Sequence, residues 1–298
     1  ICILLLAMIF PWYATDQTWL MASFYLIGLS VGLTDVAMNA EVAEIERQNS
    51  KVIISSCHGF FSIGGMIGAI LSSVFIAGSG SLSYQMMIIA FVLIAVLLPL
   101  FKHMINAPAH EAKVGGHFEF PTSKVLAFAV IGFCVMMSEG GITDWATIFI
   151  KENLKVAGEY AGAGFAGFSL LMAIARFQGD SLHIRFGAKR LVIIGALIAV
   201  IGLFLVLLQT PLWAIIGFSL AGLGYSVIVP ILFSTAAKQE GVKPSKGIAT
   251  VASSGYIGML AGPVLIGFIA DSYGLVNGFT FLLGLTVLAL LLSFRALR

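Results

Sequence analysis

The feature that most constrains this chain is a succession of apolar blocks, each about 20 residues long, separated by short polar stretches. A helix of about 20 residues crosses the ~30 Å hydrocarbon core of a bilayer. We therefore predict nine full membrane-spanning helices after a partial span at residues 1–10. The nine spans lie near residues 19–39, 52–77, 84–101, 124–150, 158–178, 190–209, 211–236, 247–270 and 276–296.

The composition indicates that lipid is the main solvent of this chain. Of its 298 residues, 59% are hydrophobic and only 10% are charged, so it lacks the charged surface of a soluble protein of this length. A net charge of +2 is too small to indicate a nucleic-acid partner. Cys2, Cys57 and Cys134 are isolated in apolar runs, without disulfide or metal-site spacing. The chain begins inside an apolar run without an initiator methionine, so we expect further helices before it.

The distribution of Lys and Arg predicts the orientation in the membrane, because these residues are enriched in cytoplasmic loops. Fourteen of the sixteen lie on or near one side when "NAEVAEIERQNSK" is placed in the cytoplasm, and Lys151 and Lys155 are the exceptions. All four tryptophans then lie at the outer interface, as in an aromatic belt. We predict a multi-pass protein of the plasma or inner membrane, with residues 102–123 and the C-terminus in the cytoplasm.

The longest polar segment between spans is Lys102–Lys124, which contains two prolines and a glycine pair and is predicted to link two helix bundles. The predicted domains are the remainder of an N-terminal bundle at 1–101, the linker at 102–123 and a C-terminal bundle at 124–298. Three histidines recur every seven residues in the linker: His103, His110 and His117. A metal site is one interpretation, but a solvated linker is favoured because no cysteine or ordered element supports them.

The stretch "RFQGDSLHIRFGAKR", Arg176–Arg190, combines glycines, an acid and basic residues at characteristic positions. These are Gly179, Asp180, Arg185, Gly187, Lys189 and Arg190. Glycines allow two helix ends to approach closely, and the acid is suited to a helix N-terminus or to an arginine partner. The motif resembles the loop signature of the major facilitator superfamily. The resemblance implies that the chain is an all-α membrane protein of two pseudo-symmetric six-helix bundles, with the first two helices missing. It also implies that the motif is a cytoplasmic gate loop.

Two shorter motifs extend this resemblance. In "TDVAMNAEV", Asp35 and Asn39 are similar to the fourth-helix pattern of the fucose–proton symporter branch. "EGGITDW" resembles a seventh-helix pattern in relatives of the sugar-permease branch. The resemblance therefore implies proton-coupled transport of a sugar or related metabolite.

Asp35 and His58 are ionisable residues inside predicted spans, where a charged side chain costs at least ~2.5 kcal/mol and normally faces a cavity or a partner. Asp35 lies twelve residues before Arg47 and His58 eleven residues after it. On antiparallel helices both are therefore at similar depth, about 17 Å from the cytoplasmic edge. Our hypothesis is that Asp35 binds the coupling proton and that His58 tunes its affinity. The alternative is a neutral His58 held by hydrogen bonds in the helix packing.

Glu139 and Asp144 are two acids in one predicted span. Five residues turn a helix by about 140°, so the two cannot share a face. We predict that Glu139 faces the cavity as a second proton or substrate site, and that Asp144 lies at the outer water boundary beside Trp145. Gly140 and Gly141 are expected to permit a local break between the acids.

Further polar residues at membrane depth are predicted to line the substrate cavity, with helix packing as the alternative for each: Asn39, Ser62, Tyr225 and Tyr256. Arg176 belongs either to this cavity or to the cytoplasmic gate. Two glycine-rich runs, "GAGFAG" at Gly162–Gly167 and "GMLAGPVLIG" at Gly258–Gly267, are predicted to be close helix contacts, and the second is also predicted to mark a bend. The first is not interpreted as a dinucleotide site, because no strand precedes it.

The function predicted from these residues and the resemblance is secondary active transport of a small polar solute by proton-coupled alternating access. The expected partners are the solute, protons and the bilayer, and the protein is expected to be a monomer without cofactor or metal. We do not expect an enzyme, because no HExxH, GxSxG or Cys/His ligand set occurs. The alternatives are a proton-driven efflux antiporter and a non-transporting membrane sensor.

Overall fold

A computed structural model describes residues 10–77, 82–100, 123–156 and 160–297, and the regular elements within these ranges are all helical. After a 3₁₀ turn at Phe10–Tyr13, nine helices follow. They are α1 (Gln17–Asn49), α2 (Ile54–Ala77), α3 (Leu82–Leu100), α4 (Ser123–Ile148), α5 (Ala163–Val206), α6 (Pro211–Tyr225), α7 (Ile228–Ala237), α8 (Pro244–Tyr273) and α9 (Leu275–Ala296). The predicted all-α fold class is confirmed. The three linker histidines, Cys2 and most of the partial span lie outside the described residues.

The apolar helices have the length and the surface that lipid requires. Six described segments are long and apolar enough to cross a membrane: Gln17–Asn49, Ser123–Asn153, Ala163–Val206, Pro211–Ala237, Pro244–Tyr273 and Leu275–Ala296. Large apolar side chains point away from the protein, and Leu260 and Phe268 are 75% and 70% exposed. In water such a surface would cause aggregation, whereas in a bilayer it contacts acyl chains.

Helix α1 is longer than predicted. It continues through "NAEVAEIERQ", which was expected to be a loop, and ends where Ser50 has a φ of 52°. Charged residues do not end a helix that leaves the bilayer. Arg47 and Glu44, three residues apart, instead form a surface pair with an Nε–Oε2 distance of 2.8 Å.

The predicted gate loop is mainly helical. Helix α5 joins the spans expected at 158–178 and 190–209 and is interrupted only at Gly187, with φ 76° and ψ 161°. Glycine alone adopts this conformation without strain. Conversely, the span expected at 211–236 is divided into α6 and α7. Pro230 has no N–H to donate to the carbonyl of Ser226, which favours a break one turn before it, although α8 continues through its own Pro263.

The break expected at Gly140 and Gly141 does not occur, because α4 is continuous through both residues. The two glycines instead allow close packing. A Cβ on Gly140 would lie 2.5 Å from the carbonyl oxygen of Met259 in α8, and one on Gly141 would lie 3.0 Å from Leu282 in α9. The irregular turn comes later, as a π-helical turn at Phe149–Asn153.

Close glycine contacts also join α5 to α6. Gly202 and Gly217 face each other, and a Cβ on Gly217 would overlap the Gly202 carbonyl and lie 2.9 Å from the backbone N of Val206. The same helices use Gly164 and Gly167 of "GAGFAG", and α8 uses Gly258 and Gly262 against α4. The predicted role of both glycine-rich runs as helix contacts is confirmed.

Gly217→Val is expected to lower the unfolding temperature in detergent by roughly 3–10 °C, since overpacking costs about 1–3 kcal/mol. The measurement is thermal unfolding followed by intrinsic fluorescence. Gly284→Val is the control, because no atom lies within 4 Å of a Cβ built at Gly284. Equal shifts in the two variants would contradict the packing role of Gly217.

The described residues form two compact units. One comprises the residues before Val42 and those from Gly64 to Leu100. The other comprises Val42–Ile63 and the described residues from 123 to 297. The predicted domain boundaries at 101 and 124 stay a prediction. In the second unit, Phe149, Phe218 and Phe279 form an aromatic core with ring centroids between 4.9 and 6.2 Å apart.

Candidate functional site

Asp180 of α5 binds the first turn of α2. Its Oδ1 accepts a hydrogen bond from the N–H of Ser55 and its Oδ2 one from the N–H of Ser56, each at 2.9 Å, and the Ser56 hydroxyl also donates to Oδ2. The Ser55 hydroxyl donates to the carbonyl of Arg176 at 2.8 Å. First-turn N–H groups have no acceptor within their own helix, and this end carries a partial positive charge. A carboxylate that is only 8% exposed is therefore stabilised here.

Gly179 makes this contact possible. A Cβ at Gly179 would overlap the Ser55 hydroxyl, so a larger residue would separate α5 from α2. The remaining predicted gate-loop residues lie further along α5, at or near the interruption of the helix at Gly187: Arg185, Gly187, Lys189 and Arg190. Arg185 lies over the ring of its own neighbour Phe186, 5.3 Å from the centroid. The structure thus brings the first two members of the motif to α2.

Glu46, near the end of α1, is a second carboxylate at the same helix start. Its Oε1 accepts hydrogen bonds from the N–H groups of Ile53 and Ile54 at 3.0 and 3.1 Å. Its Oε2 accepts from the hydroxyl of Ser234 in α7 at 3.2 Å and from Nζ of Lys238, which directly follows α7, at 3.1 Å. Glu46 is 3% exposed. Four successive N–H groups at the start of α2 are therefore bound by Glu46 and Asp180.

The sequence analysis missed Glu46. It stands near Glu41 and Glu44 in a segment that was expected to be a solvated loop, so nothing in the local composition separates the buried acid from its neighbours. One sequence feature that could identify Glu46 is its position seven residues before Ile53, which directly precedes the apolar helix α2.

Arg176 connects two of the predicted site residues. It is 7% exposed, and its Nη1 donates to the hydroxyl of Ser62 at 2.5 Å. Its Nη2 lies 3.5 Å from Oε1 of Glu139, which is long for a charged pair. Its Nε is buried, and no group in the described part of the chain accepts a hydrogen bond from it. The Ser62 hydroxyl also lies 3.2 Å from the His58 carbonyl, to which it donates.

His58 and Tyr225 are buried in the same unit. His58 is 9% exposed, and its ring centroid lies 5.9 Å from that of Phe233. Tyr225 is fully buried, with its hydroxyl 2.6 Å from Oγ1 of Thr286 in α9. Tyr256 is half-buried in α8. The roles of these three residues in a cavity stay predictions.

Asp35 and Asn39 lie on α1 in the other unit. Asp35 is half-buried and Asn39 fully buried, and the Asn39 amide donates to the Asp35 carbonyl at 2.9 Å. The hypothesis that His58 tunes Asp35 joins residues of the two units and stays a prediction. Asp144 is exposed, whereas Glu139 of the same helix is half-buried. The predicted places of the two acids, in a cavity and at the outer water boundary, stay predictions. The described residues contain no group of three or more His, Cys, Asp or Glu arranged to bind a metal.

Comparison with known proteins gives one consistent family. A sequence model described as Major Facilitator Superfamily matches residues 128–298. An uncharacterised MFS-type transporter of Yersinia pestis is 33% identical over 268 residues, which cover 89% of this chain and 69% of that protein. Membrane protein MosC of Rhizobium meliloti is 29% identical over 90% of this chain and 66% of its own length. The structure of the transporter FucP in the outward conformation covers the whole chain with a TM-score of 0.83 and 16% identity, and 81% of FucP is matched.

Proposed function

Because the chain belongs to the major facilitator superfamily, a family of multi-pass membrane transporters, we propose that it moves a small polar solute together with protons by alternating access. The proposed solute is a sugar or a related metabolite. In this proposal the protein acts as a monomer in the plasma or inner membrane, with residues 102–123 and the C-terminus in the cytoplasm. FucP, which shares the fold, is the fucose:proton symporter of Escherichia coli.

The start of α2 is proposed to be the closed gate on the cytoplasmic side. Asp180 and Glu46 hold four backbone N–H groups there, and Glu46 also binds Lys238, which directly follows α7. Segments before and after the predicted linker therefore meet through buried carboxylates. In the proposed cycle these hydrogen bonds exchange for water when this side opens, and the intact hydrogen bonds belong to the closed state.

The observation that carries proton coupling is the contact of Glu139 with Arg176. Glu139 lies sixteen residues after the start of the 31-residue segment Ser123–Asn153, about 24 Å along the helix axis and so near the middle of that segment. A carboxylate at this depth is retained only with a partner or a role, and a 3.5 Å contact is loose enough to exchange. Asp35 is proposed as a second proton-binding carboxylate, on the ground of its depth in α1.

The test is proton movement in liposomes that contain the purified protein and a pH-sensitive dye. Solutes such as L-fucose and D-glucose are added at equal pH on both sides. Inward proton flow with the solute supports symport. Outward flow supports the efflux antiporter, and solute binding without any flow supports the sensor.

Asp35→Asn is expected to lower solute-driven proton uptake while solute exchange across the membrane continues, because the amide binds no proton near neutral pH and Glu139 remains as the other proposed proton-binding group. Dye acidification and exchange of radiolabelled solute are measured on the same liposomes. Asp144→Asn serves as the control, since Asp144 is exposed at the predicted outer boundary. Unchanged proton uptake in Asp35→Asn would remove Asp35 from the coupling mechanism.

A further inference from the structure

One edge of the Arg176 guanidinium, formed by Nε and Nη2, has few hydrogen bonds. The Nη1 nitrogen is bound to Ser62, whereas Nη2 has only the 3.5 Å contact with Glu139 and Nε has no acceptor among the described groups. Nε and Nη2 lie on the same side of the planar group and together form the fork that carboxylates bind with two parallel hydrogen bonds. A buried donor without an acceptor destabilises the protein, and a charged donor does so more strongly than a neutral one.

We propose that this edge of Arg176 binds a carboxylate of the transported solute and that protonation of Glu139 makes the edge available. The inference rests on the proposed function and narrows its solute to a small hydroxylated monoanion, such as a sugar acid. The proton is transferred to an Oε atom of Glu139. The solute stays ionised, and its two carboxylate oxygens accept from Nε and Nη2.

The charge balance of the pair supports an anion. With Glu139 ionised, the pair has no net charge, and Arg176 is partly neutralised. With Glu139 protonated, one positive charge remains buried at mid-membrane, which is costly until an anion enters. One proton and one monoanion then move together, so the loaded protein and the empty protein carry the same charge. A neutral sugar would leave the positive charge of Arg176 uncompensated in the loaded state.

The other titratable groups near the pair do not oppose this assignment. His58 from α2 acts electrostatically on Arg176, and Tyr225 from α6 lies within electrostatic range of Glu139. A charged His58 would add to the attraction for an anion. Tyr256 stands near the middle of α8. Among the helices packed against α4, α8 and α9 carry their charged residues near the ends: Lys246 and Asp271 on α8 and Arg295 on α9. Lys238 directly follows α7. Helix α5 also packs against α4 and carries the buried Asp180 one turn after Arg176, where the N–H groups of Ser55 and Ser56 bind its carboxylate.

The test compares carboxylates with uncharged analogues on the purified full chain in detergent. Acetate and D-gluconate are the probes, acetamide and D-glucose their neutral matches, and chloride equalises ionic strength. Thermal unfolding is measured at about pH 5.5 and at about pH 8, which lie on either side of neutrality. We expect the carboxylates alone to raise the unfolding temperature, with an apparent Kd about tenfold or more tighter at the acidic pH.

Three variants distinguish the role of Glu139 from that of Arg176. Glu139→Gln mimics the protonated acid and is expected to bind carboxylates equally at both pH values. Arg176→Lys keeps the charge but loses the planar fork, and is expected to lose most of the carboxylate effect. Arg176→Gln should lose all of it, and the lysine variant also provides the comparison if the glutamine variant does not fold.

Three results would overturn the proposal. One is equal stabilisation by carboxylates and their neutral matches. Another is pH-dependent binding that persists in Glu139→Gln, and the third is full binding in Arg176→Lys. If Glu139 simply rotates to fill the fork as a structural ion pair, the first result is obtained. Proton-coupled flux of D-glucose without carboxylate binding would overturn this inference and leave the proposed function intact. Carboxylate binding without any proton-coupled flux would overturn the proposed transport function and leave the assignment of the carboxylate site on Arg176 intact.

Discussion

Asp180→Ala is expected to raise the rate at which Cys57 reacts with a thiol reagent by about tenfold or more. The variant removes the acceptor for the Ser55 and Ser56 N–H groups and for the Ser56 hydroxyl. Each buried donor left without an acceptor costs about 1–3 kcal/mol, so the closed arrangement is destabilised by several kcal/mol. The open arrangement exposes these groups to water and loses little. Cys57 follows Ser56 directly and is half-buried, so its reactivity reports the opening.

The measurement uses a protein in which Cys2 and Cys134 are replaced by alanine, so that Cys57 is the one thiol. Labelling with a membrane-impermeant maleimide is followed over time in inverted vesicles. Asp271→Ala is the matched control, because this aspartate is exposed near the end of α8. If Asp180→Ala and Asp271→Ala label at the same rate, Asp180 does not hold the closed state.

Glu46→Ala is expected to lower the stability of the protein by about 3 kcal/mol or more, because breaking a buried charged hydrogen-bond network costs about 3–5 kcal/mol. The substitution leaves the N–H groups of Ile53 and Ile54 without their acceptor and removes the partner of Lys238. The expected fall in unfolding temperature is roughly 6–12 °C. It exceeds the effect of a surface ion pair because Glu46 is 3% exposed.

Thermal unfolding in detergent measures this effect, and Glu44→Ala is the control on the same helix. Glu44 pairs with Arg47 at the surface, where such pairs contribute about 0.5 kcal/mol or less. A double-mutant cycle with Lys238→Met isolates the ion pair from the two backbone hydrogen bonds. Because Lys238 is 55% exposed, most of the loss should remain when Lys238 is already absent. A loss similar to that of Glu44→Ala would show that the Glu46 network contributes little.

Hydrophobic patterning predicted which parts of this chain are helices, because a bilayer leaves a 20-residue apolar segment almost no other structure. Patterning predicted the helix ends poorly. Charged residues beyond the membrane are as compatible with helix as with loop, so α1 and α5 continue through stretches that were expected to be loops. The division between α6 and α7 comes one turn before Pro230, whose missing N–H favours a break that a hydropathy average does not register.

The candidate site was predicted less completely. Glu139 was identified as a candidate from its depth along the predicted span. Its contact with Arg176 was not predicted, because the two residues are 37 positions apart on different helices and no local sequence pattern indicates a contact at that separation. The family motif selected Asp180 and left open whether its partner was an arginine or a helix N-terminus. In the structure its hydrogen bonds are to the N-terminus of α2. Gly140 and Gly141 were assigned a flexible role because packing against Met259 and Leu282 depends on helices that are distant in sequence.

The arrangement at the start of α2 has a consequence for biogenesis. Ser55 and Asp180 are 125 residues apart, so a ribosome that adds about 5–20 residues per second needs roughly 6–25 s to make the second after the first. Until Asp180 is made, the N–H groups of Ser55 and Ser56 lack the acceptor that they have in the folded protein. The later-synthesised helices therefore complete the folding of an earlier one, and a stalled or truncated nascent chain that ends before Asp180 would present α2 with an unfinished end.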